Sequence, residues 1–92
     1  MRVVWTAAAL RGVMHAYDYL AEFSSQAARH VAATLREAGD SLEHFPHRGR
    51  PVPSTDMREL VTAYPYIIRY RVAGGDVIIL RVCHTSRRPT RP

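Results

Sequence analysis

Apolar and polar residues alternate in two runs near the end of the chain, Tyr64-Pro-Tyr-Ile-Ile-Arg-Tyr-Arg-Val72 and Asp76-Val-Ile-Ile-Leu-Arg-Val-Cys-His84. Tyr66, Ile68, Tyr70 and Val72 form one row, and Ile78, Leu80 and Val82 form a second, with the period of half-buried strands. The remaining positions, Ile67, Arg69 and Arg71 on one run and Val77, Ile79, Arg81 and Cys83 on the other, mix guanidinium groups with aliphatic surface. Residues directly opposite each other in an antiparallel pair share a face, so the two apolar rows meet only if an odd number of residues closes the hairpin. The expectation is therefore a three-residue loop, Ala73-Gly74-Gly75, with Gly75 in the left-handed region. That register sets Arg69 near Ile79, Arg71 near Val77 and Arg81 near Ile67, with the three arginines on one face.

Upstream the period changes. Arg2-Val-Val-Trp5 is β-branched and aromatic and reads as a first strand, stopped by Thr6, a good N-cap before Ala7. Leu10, Val13, Met14, Tyr17, Leu20 and Ala21 follow at the spacing of one helical face, interrupted only by Gly12. Phe23-Ser24-Ser25 breaks this helix, and either serine caps a second one beginning near Gln26. Ala28, Val31, Leu35, Ala38, Leu42 and Phe45 form its apolar seam, and Pro46 disfavours helical geometry at Phe45 and sets its end. From His47 to Asp56, Gly49, Pro51 and Pro53 exclude both helix and central strand, so this stretch is a surface connection. Met57 to Thr62 is again extended, and Ala63-Tyr64-Pro65 turns the chain into the hairpin. The order is β-α-α-β-β-β: an α+β, two-layer fold in which a three-stranded antiparallel meander completes one sheet.

At 92 residues the chain is one domain spanning 1–92, with 85–92 a polar, proline-punctuated basic tail. A net charge of +5 points to an acidic partner; all thirteen basic residues are arginine, which reads first as a bias of codon usage, although guanidinium groups also suit planar, bidentate contacts. Cys83 is the single cysteine and cannot form an internal disulfide, and no apolar run approaches a membrane span or signal-peptide core, so the cytosol is the expected compartment. Phosphate-cradling glycine loops are absent and no cofactor is expected. His44 and His47 have a spacing that metals use, but no cysteine or carboxylate completes a ligand set and no metal is expected. His15 and His30 lie on polar helix faces.

Val4-Trp5-Thr6, Phe45-Pro46-His-Arg-Gly49-Arg50, Met57-Arg58-Glu59-Leu60, Tyr66-Ile-Ile-Arg-Tyr70 and Ile79-Leu80-Arg81-Val82-Cys-His84 followed by Arg87, in this order, resemble a ParE-type toxin of the RelE/ParE superfamily. The resemblance covers nearly the whole chain. It implies the RelE/ParE-like fold and the toxin of a bacterial type II toxin–antitoxin system, acting in growth inhibition and plasmid maintenance, with a ParD-like antitoxin as partner in a hetero-oligomeric complex. The superfamily holds two activities on one fold, so activity must be read from residues. RelE-type members cut messenger RNA on the ribosome with a basic cluster and a terminal acid or base; ParE-type members act on DNA gyrase. This chain has no lysine, no tyrosine follows the last strand, and His84 is the only imidazole near it.

The first expectation is therefore a gyrase inhibitor that works by binding, without turnover. The alternative is a ribosome-dependent mRNA endonuclease, for which Arg58, Arg81, His84 and Arg87 would supply charge stabilisation and proton transfer. For antitoxin binding the expected surface is Ile67, Arg69, Arg71, Val77, Ile79 and Arg81, because an amphipathic acidic segment would bury the aliphatic groups and pair the guanidinium groups. Arg87 and Arg88 are the expected contacts to the target.

Overall fold

The structure is a computed structural model and describes residues 1–85. Strand β1 (Arg2–Trp5) leads into helices α1 (Ala7–Ala21) and α2 (Ser25–Asp40), and a single 3₁₀ turn (Ser41–Glu43) tightens the end of α2 before Pro46. Strands β2 (Arg50–Pro51), β3 (Met57–Val61), β4 (Tyr66–Ala73) and β5 (Asp76–His84) follow. They form one five-stranded sheet in the order β1-β5-β4-β3-β2. β1 runs parallel to β5, and the other neighbours are antiparallel. The α+β order read from the sequence stands, with the two-residue β2 added at the outer edge, where Pro51 removes no ladder hydrogen bond that a central strand would need.

Capping side chains set both helix starts. Thr6 Oγ1 accepts from the Ala9 N–H at 3.1 Å, and of the two candidate serines it is Ser24 whose Oγ accepts from the Ala27 N–H at 3.1 Å. The hairpin of helices packs on one face of the sheet, and Leu35, Leu42, Ile68, Tyr70, Val77 and Ile79 are fully buried between the layers. Trp5 closes the β1 end of this core, donating its indole N–H to Asp40 Oδ1 at 3.0 Å. Among the described residues no helix is long and apolar enough to cross a membrane.

Several details differ from the sequence reading. The β4–β5 hairpin closes with two residues, Gly74 and Gly75, both at positive φ (61° and 82°), and Ala73 pairs with Asp76. Both central residues at positive φ give the turn a twist that matches the strands. The parity mismatch is absorbed farther along: Tyr70 pairs with Ile79 and Arg69 with Arg81, leaving Leu80 as an extra, bulged residue. The core row of β5 is therefore Val77, Ile79, Val82 and His84, not Ile78, Leu80 and Val82. Since residues 77–80 are all apolar, alternation could not choose between the two phases.

The buried face of α1 is also rotated. Ala9, Val13 and Ala16 are buried, whereas Leu10 and Met14 of the expected face are 38% and 59% exposed. Small residues face β5 because the helix lies close to the strand: a Cβ on Gly12 would stand 2.1 Å from the Val82 carbonyl oxygen. In α2 the seam is as expected through Leu42, but Phe45 is exposed.

Candidate functional site

The helices cover one face of the sheet; the other, here the open face, carries most of its charges. The pairing register aligns Arg50, Glu59, Arg69 and Arg81 in one row across β2, β3, β4 and β5. Arg71, flanked by Met57 and Ile78, is on the same face one row away. The three arginines Arg69, Arg71 and Arg81 thus do share a face.

Their roles differ. Glu59 is buried and Arg69 clasps it through Nε at 3.1 Å and Nη2 at 2.5 Å, a fork that compensates a carboxylate removed from water. Arg71 Nε sits 3.6 Å from Asp56 Oδ2, an ion pair without a hydrogen bond. Arg50 and Arg81 are exposed and make no ion pair with any described residue. At the β1 edge, Arg2 donates to Asp76 Oδ2 at 3.0 Å.

The expected surface needs correction at three positions. Val77 and Ile79 are fully buried in the core on the helix side, because the two-residue turn places them opposite Val72 and Tyr70, ahead of the Leu80 bulge. Ile67 is on the open face, yet it has no exposed area and offers nothing to a partner. Glu59 and Arg50, in contrast, were missed. Glu59 has the parity of Arg69 once the Val61–Tyr66 connection is known to be tight, but no sequence signal brings Arg50 alongside it, since β2 is only two residues long.

Of the four residues of the nuclease alternative, the three that the structure describes, Arg58, Arg81 and His84, do not gather. Arg58 pairs across to Tyr70 on the helix side of the sheet, where its Nη1 donates to the Gly49 carbonyl at 2.7 Å and so holds the loop before β2. The same loop is tied from the core by Tyr70, whose hydroxyl donates to the Pro46 carbonyl at 2.7 Å and accepts from the Gly49 N–H at 2.9 Å. His84, also on the helix side, lies edge-on to Tyr66 at 5.4 Å and lines a cavity of about 130 Å³ beneath α1, beside His15. Arg81 faces the opposite way. Arg87 and Arg88 lie outside the described residues. Among the described residues, no group of three or more His, Cys, Asp or Glu side chains is placed to hold a metal.

Known proteins resemble this chain in sequence and fold. Residues 3–89 match the family described as the ParE toxin of the type II toxin–antitoxin system parDE. The chain belongs to the ParE toxin family. The toxin RelE2 of Caulobacter vibrioides is 46% identical, over 94% of this chain and 97% of its own length. Y4kP of Sinorhizobium fredii is 40% identical, over 95% of this chain and 91% of its own length. Among solved structures, the chromosomal ParDE toxin–antitoxin system from P. aeruginosa has a chain that superposes with a TM-score of 0.80 at 25% identity, covering 91% of this chain and 95% of that one. For this ParE-family toxin the fold and the toxin class rest on these concordant likenesses, and its activity must be read from its own side chains.

Proposed function

We propose that this ParE-family toxin arrests growth by binding DNA gyrase in the cytoplasm, without turning over a substrate, and that a ParD-like antitoxin neutralises it by covering the open sheet face. The observation that carries the reading is the dispersal of Arg58, Arg81 and His84 over two faces of the sheet. A ribonuclease needs base, acid and cations around one phosphate, within hydrogen-bond reach of it. Here Arg58 is spent on Gly49, His84 packs on Tyr66, and Arg81 is across the sheet from both. Binding makes no such demand, and an exposed guanidinium surface fits an acidic protein partner. Arg87 and Arg88 belong to the target contact in this reading, which leaves the open sheet face to the antitoxin.

The test is gyrase supercoiling of relaxed plasmid with purified toxin titrated in, repeated with the antitoxin present. Inhibition that the antitoxin reverses is the expected result. No inhibition at toxin well above the gyrase concentration, together with cleavage of ribosome-bound mRNA, would assign the toxin to the endonuclease branch that the relative named RelE2 brings to mind.

A further inference from the structure

We infer that the toxin selects its neutralising partner by two carboxylates on an extended segment, spaced four residues apart, that engage Arg50 and Arg81. The inference rests on the antitoxin reading above and specifies what that antitoxin presents. In the row Arg50–Glu59–Arg69–Arg81 three guanidinium groups accompany one carboxylate. Glu59 is engaged by Arg69, and the outer two cations are left exposed. Arg81 also stands directly opposite Arg69, a like-charge juxtaposition in the ladder that an incoming anion relieves.

The spacing of the two outer cations restricts what can meet both. They are three strand intervals apart, about 14 Å at the usual separation of paired strands. Along an extended segment, residues i and i+4 point to one side and are about 13 Å apart. An α-helix returns a side chain to the same face after seven or eleven residues, about 10.5 or 16.5 Å, and so matches less well. The middle of the row also discriminates. A polynucleotide carries a phosphate at every residue and would set one against the Glu59–Arg69 pair, whereas a peptide can place a neutral residue at i+2. An acidic extended peptide therefore fits better than single-stranded RNA.

Titration calorimetry of the full toxin with its antitoxin tests this, using Arg50→Gln, Arg81→Gln, the double variant and Arg11→Gln, an exposed arginine on α1, as control. Each single open-face substitution is expected to weaken binding ~10- to 100-fold by removing one charge-assisted contact. The double variant is expected to show the product of the two, because the sites are well separated. Arg11→Gln is expected to bind as the unaltered toxin does. Polyuridylate is added as competitor and is expected not to displace the antitoxin. Arg50→Gln and Arg81→Gln affinities within about twofold of the unaltered toxin's, or displacement by polyuridylate, would overturn the inference and leave the toxin–antitoxin reading standing. If the unaltered toxin failed to bind the antitoxin, the underlying reading would be lost instead, and the inference with it. Both substituted arginines are exposed, and an unchanged thermal midpoint shows that the fold is intact.

Discussion

A single hydrogen atom in place of a methyl group decides how closely α1 sits on the sheet. Glycine inside a helix costs ~1 kcal/mol relative to alanine, so Gly12→Ala ought to stabilise an isolated α1. In the folded toxin the new Cβ would stand 2.1 Å from the Val82 carbonyl oxygen, which is backbone and cannot swing away. Relief requires α1 to lift off β5, and strain of this kind typically costs ~1–3 kcal/mol, more than the propensity gain. Gly74→Ala is the matched comparison. Nothing is within 4 Å of its Cβ position, but φ is +61°, so only the left-handed backbone is penalised, by ~1 kcal/mol. Urea denaturation should give a lower midpoint for both variants, with the larger loss at Gly12; a Gly12→Ala protein more stable than the parent would refute the close-approach account. From sequence alone Gly12 reads as a flaw in a helix, because its partner Val82 lies far along the chain.

At the scale of elements, one side chain couples the start of α1 to the irregular centre of β5. The Thr6 hydroxyl accepts from the Ala9 N–H and donates to the Ile79 carbonyl at 2.8 Å, with the Leu80 carbonyl at 3.2 Å, while the Thr6 N–H also bonds Ile79 O. The cap of the helix therefore rests on the bulge. Thr6→Ala removes the hydroxyl's contacts with Ala9, Ile79 and Leu80 and is expected to cost ~1–2 kcal/mol, toward the upper end for an N-cap because a carbonyl acceptor at the bulge is left less satisfied. Thermal unfolding measures the total, and amide exchange should show the added opening at β1 and the first turn of α1 rather than at β3. Uniform acceleration over the whole sheet would contradict this local coupling. The elements themselves were legible, since Thr6, Ser24, Pro46 and the Gly74–Gly75 pair are strong local signals. The hairpin register was not. Parity arguments assume an unbroken ladder, and the run Val77-Ile78-Ile79-Leu80 hides the one residue at which the ladder slips.

Over the whole molecule the sheet acts as a partition: aromatic and imidazole groups turn toward the helices, most of the free charge turns away. That division was partly readable, because Arg69, Arg71 and Arg81 share parity within their strands and the resemblance named the toxin class. Which aliphatic groups accompany them, and that Glu59 and Arg50 join the row, depends on pairing across β2 to β5 that no local pattern encodes. The partition also gives the clearest test of mechanism. If toxicity came from RNA cleavage with His84 as the proton-transfer group, His84→Ala would reduce it by ~10²-fold or more, the usual contribution of a general acid or base. In the binding reading His84 is a packing residue, edge-on to Tyr66, and its truncation costs on the order of 1 kcal/mol of stability and no activity. Arg58→Ala differs, because it frees the Gly49 carbonyl and loosens the loop before β2, lowering the amount of folded toxin. Induced expression in cells lacking the antitoxin, normalised to soluble toxin, should therefore show growth arrest retained for His84→Ala and reduced for Arg58→Ala only as far as its abundance falls. Loss of arrest by His84→Ala at parental abundance would return the imidazole to the chemistry and the toxin to the ribosome.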